Sequence, residues 1–228
     1  MEWDKLPLTV LKFGGSSVAD SARMRHVAQI VKKTREEGYR VAVVVSAMGN
    51  TTDDLLALAS DVASEADGRE MDQLLATGEQ QSVALLALAL KQFGLPAQSF
   101  TAQQAGIRAK GFPMEGRIYR IEPDAVEKVL NEGTVAVITG FQAITDNGDV
   151  ITLGRGGSDL SAVALAASLG AQSCRLLFLP FSGLPLCILG GIWYLFKVPP
   201  LTLELLVTVP ASRLSLATNS SYEYVSPA

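Results

Sequence analysis

The sequence has few cysteines and histidines, the residues on which disulfide frameworks, zinc sites and catalytic triads depend. Its 228 residues include two cysteines, Cys174 and Cys187, and one histidine, His26. Two cysteines do not make a disulfide framework, so we expect a cytoplasmic protein kept in reducing conditions. A single histidine without cysteine neighbours supports neither a zinc site nor a Ser/His/Asp triad. We therefore expect no metal site built from such side chains.

An excess of positive charge and an N-terminal apolar segment are also lacking. The net charge is −4, so there is no basic footprint, and we expect no nucleic-acid partner. The opening residues Met-Glu-Trp-Asp-Lys are polar, unlike the apolar core of a signal peptide. With 48% hydrophobic and 18% charged residues, the composition is that of a globular protein that can bury a substantial core.

Charged residues become scarce after residue 174, which divides the chain into two parts. We predict a folded domain over 1–174 and an apolar Leu/Pro/Ser-rich tail over 175–228. Residues 176–196 carry no charge and are long enough to cross a bilayer. Because this stretch contains two prolines and three glycines, which weaken an isolated helix, we do not expect membrane association.

Alternating strand and helix patterns predict an α/β fold. Residues 40–46 form a continuous β-branched run, typical of a parallel strand buried on both faces. Residues 20–37 place apolar side chains at helical spacing and end at Gly38. Together with a strand near residues 8–12, they form a βαβ unit. Further patterns predict strands over 95–100 and 134–139, hairpins over 108–121 and around 146–149, and helices over about 53–64, 69–93, 124–131 and 160–169.

Residues 8–18 bring a lysine and two glycines to the end of the first strand. Gly14 and Gly15 lack a Cβ, so a large anion can approach the backbone N–H groups there. The following helix start and the charge of Lys12 favour the same anion. The spacing is not that of a P-loop, and an ordinary strand-to-helix connection is the alternative. Because ligands bind beyond the carboxyl ends of parallel strands, Lys12 and Ser46 should share one crevice.

Six stretches resemble, in the same order, the catalytic domain of aspartate kinase, an enzyme of the amino-acid kinase superfamily. They are LKFGGSSV (11–18), VVVSAMGNTTDDLL (43–56), LLATGEQQS (74–82), SFTAQQAGI (99–107), TGFQA (139–143) and TLGRGGSDLSAVALA (152–166). The resemblance covers about residues 8–174 and implies a three-layer sandwich around a mainly parallel sheet. It also implies transfer of the ATP γ-phosphoryl group, with Mg²⁺, to the side-chain carboxylate of L-aspartate, the first step towards lysine, threonine and methionine. A homo-oligomer, or pairing with a full-length subunit, is the assembly we expect.

The resemblance assigns the phosphate side of the site to the first turn and to one later carboxylate. The implied ATP- and phosphate-binding residues are Lys12, Phe13, Gly14, Gly15 and Ser16. Lys12 would offset the charge that builds on the transferring phosphate, and Asp159 would lie by the phosphates and orient the lysine. These two are the implied catalytic residues. Without the resemblance, Asp159 would be interpreted as a helix N-cap.

The acceptor side is assigned to five residues from four motifs. Glu79 would bind the α-amino group of aspartate, and Arg155 would bind its α-carboxylate through two parallel hydrogen bonds. Ser46, Thr52 and Ser158 complete the implied substrate-binding set. Taken alone, Glu79 would be a solvated mid-helix residue and Arg155 a flexible-loop arginine.

The chain departs from the family in two places. Ala143 stands where the family usually has glycine. After Cys174, the chain lacks the Thr-Asp-x-Asp-Gly and Tyr-x-Ala-Asp-Pro-Arg segments that hold most of the nucleotide, and it lacks the regulatory ACT domains. We therefore expect a fold incomplete on its C-terminal side, a sheet edge there without its usual partners, and impaired kinase activity. The alternatives are a non-catalytic fragment that pairs with a full-length subunit or binds membranes through 176–196, and a kinase with another acceptor.

Overall fold

The structure, a computed structural model, describes residues 2–65, 68–178 and 203–207. These residues form two β-sheets and five α-helices. The strands are β1 Leu8–Phe13, β2 Arg40–Val45, β3 Ala97–Phe100, β4 Ile107–Lys110, β5 Arg117–Ile121, β6 Val135–Thr139, β7 Gln142–Ile144, β8 Val150–Thr152, β9 Ser173–Phe178 and β10 Leu203–Val207. The helices are α1 Ser21–Glu36, α2 Thr51–Val62, α3 Gly68–Gln92, α4 Asp124–Asn131 and α5 Gly157–Ser168.

The larger sheet has the strand order β10-β9-β1-β2-β6-β3. Strands β9, β1, β2, β6 and β3 are parallel, and β10 runs antiparallel to β9. The smaller sheet, β5-β4-β7-β8, contains both predicted hairpins. The α/β prediction with a mainly parallel sheet is therefore confirmed.

The large sheet is covered on both faces, which explains its continuous apolar strands. Val41, Val43 and Val45 of β2 pack in one cluster with residues of α1 and α3. Ala42 and Val44 point the other way, into a cluster that contains residues of α4, α5 and the smaller sheet. Successive strand residues alternate between faces, so a strand covered on both sides must be apolar throughout. The result is the three-layer arrangement.

Helix boundaries follow local chemistry where that chemistry is visible in the sequence. The side chain of Asp20 caps α1 by accepting a hydrogen bond from the backbone N–H of Arg23 at 2.8 Å, and Gly38 follows the helix with φ of +93°. Two starts were predicted too late: α2 begins at Thr51 instead of 53, and α5 begins at Gly157 instead of 160. The early start of α5 is explained by Gly156, whose φ of +73° turns the chain so that the helix begins at the next residue, Gly157.

The C-terminal edge of the large sheet is formed by β9 and β10. β9 continues to Phe178, four residues beyond residue 174, where the family resemblance ends, and its outer edge is paired with β10. An open strand edge is a template for any chain segment that can extend beside it, and residues 203–207 take that place. Of the 176–196 stretch, residues 176–178 lie in β9 and the rest lies outside the described residues. Within the described ranges, no helix is long and apolar enough to cross a membrane.

Candidate functional site

The loops that follow β1, β2 and β6 meet at one edge of the large sheet. The backbone N–H of Ser46 donates to the carbonyl oxygen of Phe13 at 3.2 Å, and the N–H of Gly140 donates to Val45 at 2.9 Å. Since these strands are parallel and adjacent, their carboxyl ends lie side by side. Lys12 and Ser46, which we predicted to share one crevice, both lie at this edge.

The glycine turn after β1 is packed tightly against the loop after β2. A Cβ on Gly15 would lie only 2.6 Å from the carbonyl oxygen of Ala47, and the N–H of Gly49 donates to the oxygen of Gly15 at 3.0 Å. No side chain fits at Gly15. Gly14 is less confined, because the nearest atom to its hypothetical Cβ is Lys12 Nζ at 3.7 Å. The ammonium group of Lys12 therefore lies over the turn.

Lys12 is paired with the carboxylate that begins α5. Its Nζ lies 2.5 Å from Oδ1 of Asp159, and the residue is 6% exposed, whereas the Asp159 side chain is 42% exposed. A buried cation needs a counter-charge, and Asp159 supplies one while leaving part of its carboxylate accessible. The adjacent Ser158 accepts a hydrogen bond from the hydroxyl of Ser46 at 2.9 Å. Thus α5 joins the β1 and β2 loops at the same edge.

Glu79 is a buried carboxyl group in the middle of α3. It is 3% exposed, and its Oε1 accepts a hydrogen bond from the backbone N–H of Ala47 at 2.9 Å. Its Oε2 has no hydrogen-bond partner among the described residues. Burial raises the pKa of Glu79 to about 7, while the hydrogen bond from Ala47 opposes this rise. A buried carboxyl with one unused oxygen is a candidate site for a cation.

Arg155 lies in the loop between β8 and α5, three residues before Ser158. Its side chain is exposed, and we find no ion pair to it in the described ranges. Gly154 and Gly156 on either side have φ of +72° and +73°, so the backbone turns sharply around it. The guanidinium is therefore exposed and available to an anionic ligand.

Three predicted residues occupy less direct positions. The side chain of Phe13 is fully buried in the apolar cluster beneath α1 and α3, so only its main chain can face the turn. Ser16 is exposed, and its carbonyl oxygen accepts a hydrogen bond from Arg23. Thr52 lies in the first turn of α2, beside Thr51, whose Cγ2 would be 3.3 Å from a Cβ on Gly78. The start of α2 thus packs against the turn of α3 that carries Glu79.

Two residues that sequence reasoning missed belong to the framework of this edge. Asp72 is 1% exposed and accepts hydrogen bonds from the hydroxyl of Thr152 at 2.6 Å and the N–H of Met114 at 3.1 Å. It therefore fixes the start of the Arg155 loop to α3. The sequence could have indicated Asp72, because it is seven residues before Glu79 and this spacing puts both on the same face of one helix. The second residue, Thr139, has a fully buried hydroxyl without a hydrogen-bond partner in the described part of the chain.

A separate groove of about 410 Å³ runs along the smaller sheet. None of the predicted site residues lines it. Four of its charges form pairs: Arg69 lies 2.7 Å from Asp149, and Lys110 lies 3.5 Å from Asp146. The fifth, Asp72, accepts hydrogen bonds from Thr152 and Met114. Because these charges already have partners, the groove does not call for a charged ligand.

The chain is similar to known proteins over most of its length. The Amino acid kinase family model matches residues 7–178. The aspartokinase of Thermus thermophilus is 49% identical over 171 residues, which are 75% of this chain and 42% of that protein. The chain therefore spans about two fifths of the length of this curated relative.

Solved structures of aspartate kinases have the same fold. The aspartate kinase from Synechocystis matches with a TM-score of 0.63 and 47% identity over 74% of this chain and 28% of that one. E. coli aspartokinase III in complex with aspartate and ADP matches with a TM-score of 0.60 and 27% identity over 73% and 48% of the two chains. With the family model covering most of its length, the chain belongs to the amino acid kinase family.

Proposed function

We propose that the chain carries the acceptor and phosphate half of an aspartate kinase, which transfers the γ-phosphoryl group of ATP to the side-chain carboxylate of L-aspartate. The observation that carries the proposal is the ion pair between buried Lys12 and the partly exposed Asp159 beside the Gly14–Gly15 turn, with Glu79 at the same sheet edge. The identity to aspartokinases supports the choice of acceptor.

The phosphate side requires positioning and positive charge, because the acceptor carboxylate is already ionised and needs no general base. Lys12 Nζ offsets the negative charge on the transferring phosphoryl group, and Asp159 holds Lys12 in place. Backbone N–H groups of Gly14, Gly15 and Ser16 donate to the phosphate oxygens.

The described residues include no cluster of three or more potential metal ligands. This fits Mg²⁺ that arrives with ATP and is held mainly by phosphates and water, with the accessible carboxylate of Asp159 as the one protein ligand. Bound there, Mg²⁺ would neutralise phosphate charge.

The acceptor side separates the two ends of the amino acid. Glu79 binds the α-amino group through its unused oxygen, and Arg155 binds the α-carboxylate as a bidentate partner. The hydroxyls of Ser46, Thr52 and Ser158 contact the acceptor between them. A kinase with another acceptor remains the alternative, and a panel of carboxylate acceptors in the assay below would distinguish the two.

A coupled assay with ATP, Mg²⁺ and L-aspartate, together with calorimetric titration of L-aspartate, tests the proposal. We expect measurable but weak binding of L-aspartate and little turnover, because most nucleotide-binding segments known from the family are not in this sequence. Absence of L-aspartate binding at millimolar concentration would refute the acceptor assignment. Turnover like that of a complete kinase would refute the proposed impairment. Co-purification with a full-length aspartokinase, or recovery in a membrane fraction, would instead support the non-catalytic alternatives; we propose a cytoplasmic protein that self-associates or pairs with such a subunit.

A further inference from the structure

We propose that Thr139 is a further specificity-determining residue, whose hydroxyl joins the unused oxygen of Glu79 in holding the protonated amino group of the substrate. This inference rests on the proposed function, because it deepens the assignment of the acceptor site. It depends on three observations: the placement of two buried polar atoms that lack partners among the described residues, the direction in which Thr139 points, and the backbone strain beside it.

The register of the large sheet places Thr139 at the same level as the loop that Glu79 binds. Thr139 is the last residue of β6, and its partner across the parallel ladder is Val45, the last residue of β2. Two residues after Val45, the backbone N–H of Ala47 donates to Oε1 of Glu79. The end of β6 and the carboxyl group of Glu79 therefore flank the same short segment.

The side chain of Thr139 lies on the face of the sheet that α3 covers. Val135 and Val137 of β6 pack in the cluster that contains Val83 of α3, and alternation along a strand puts Thr139 on that same face. Because α3 leads into β3 through a short connection, it runs opposite to the parallel strands. Glu79, one turn before Val83, is thus at the carboxyl end of the sheet, level with Thr139.

Both polar atoms are buried and unsatisfied. Thr139 is 0% exposed and Glu79 is 3% exposed. Neither Oγ1 of Thr139 nor Oε2 of Glu79 has a hydrogen-bond partner among the residues that the structure describes. Buried polar atoms are nearly always paired, so two orphaned oxygens that flank the Ala47 segment call for a ligand donor. An ammonium group has three donors and no acceptor, which matches a pair of acceptors.

The backbone just after Thr139 is strained, as expected beside a ligand site. Phe141 has φ of +65°, and within the described ranges only Met114 shares this conformation among residues other than glycine. The N–H of Phe141 donates to the hydroxyl of Ser161 at 3.2 Å, and its carbonyl oxygen accepts from Leu153 at 2.8 Å. Strain of this kind persists only where neighbouring structure enforces it, and it concentrates at functional sites.

The test compares two substitutions and two ligands on the full chain. Thr139→Val keeps the shape of the side chain and removes the hydroxyl, while Thr139→Ser keeps the hydroxyl. L-aspartate carries the amino group, and succinate is the same dicarboxylate without it. Dissociation constants from calorimetric titration of the wild-type and variant chains give the selectivity for L-aspartate over succinate.

We expect Thr139→Val to weaken L-aspartate binding by about ten-fold or more, the effect of losing one hydrogen bond to a charged group, and to leave succinate binding unchanged. Thr139→Ser should retain the selectivity of the wild type. If Thr139→Val loses its thermal unfolding transition, Thr139→Ala serves in the same comparison.

Two results would overturn the inference: unchanged L-aspartate binding by Thr139→Val, or an equal loss of both ligands, which would make Thr139 a purely structural residue. If the wild-type chain binds no L-aspartate, the proposed function itself fails and this inference fails with it. The two failures are therefore distinguishable.

Discussion

The titration of Glu79 gives the sharpest test of how the site is built. Burial raises the pKa of this carboxyl from 4.5 to about 7 in the folded chain. Between these two values the folded state binds a proton that the unfolded state has already released. Folding stability due to Glu79 is therefore fully present below about pH 4.5 and is lost as the pH rises to about 7.

The size of this loss follows from the difference between the two pKa values. Each pKa unit corresponds to about 1.4 kcal/mol, so ionised Glu79 costs roughly 3 kcal/mol of folding free energy at pH 8 compared with pH 4. Glu79→Gln stays neutral at every pH and keeps an oxygen that can accept the hydrogen bond from Ala47. The substitution should therefore remove this part of the pH dependence.

The measurement is urea unfolding of the wild-type and Glu79→Gln chains at several pH values between 5 and 8. We expect the Gln variant to become more stable than the wild type, by up to about 3 kcal/mol, as the pH rises across this range. Saturating L-aspartate, whose ammonium group would pair with the ionised carboxylate, should reduce the difference by stabilising the wild type more than the variant. Parallel pH profiles of the two chains without ligand would refute the reasoning.

Three further substitutions probe the framework and the phosphate side. Gly15→Ala should destabilise the chain by about 1–3 kcal/mol and abolish ATP binding, because the new Cβ would lie 2.6 Å from a backbone oxygen. In the control Gly14→Ala the nearest atom to the new Cβ is 3.7 Å away, so this variant should be as stable as the wild type in urea titrations. Asp72→Ala leaves the donors of Thr152 and Met114 unpaired and should lower the free energy of unfolding by about 2–4 kcal/mol. The control Asp61→Ala, at an exposed position, should lower it by less than about 0.5 kcal/mol. Equal effects of the two substitutions would show that Asp72 does not hold the loop to α3. Lys12→Met should abolish binding of inorganic phosphate or ATP in calorimetric titrations and leave L-aspartate binding unchanged; loss of both would contradict separate subsites.

The sequence predicted best those elements whose environment is uniform along their length. β2 is apolar at every position after Arg40 because both of its faces are covered, and that pattern is visible without coordinates. The predicted convergence of Lys12 and Ser46 needed only the rule that parallel strands end at one edge. Glu79 was less accessible to such reasoning, because a glutamate in mid-helix is ordinarily solvated, and only the family resemblance assigned it a role.

Other features depend on contacts between distant segments, which no local pattern reports. Thr139 ends a buried strand like any β-branched residue, and its proposed role comes from a hydroxyl that has no partner among the described residues. Phe13 continues the motif that carries Lys12, yet alternation along β1 turns its side chain into the core. The pairing of residues 203–207 with β9 joins segments that the apolar composition of the tail did not distinguish.

The residues proposed to bind the acceptor all come from elements that end by residue 178. Glu79 lies on α3, Arg155 precedes α5, and the loop that contacts both the glycine turn and Glu79 follows β2. Each of these elements packs against the parallel strands, so we expect their relative positions to persist when the segment after β9 is removed. Acceptor binding and phosphoryl transfer should therefore be separable in this chain. An L-aspartate site that persists without turnover is the behaviour that distinguishes half of a kinase from a sequence that merely resembles one.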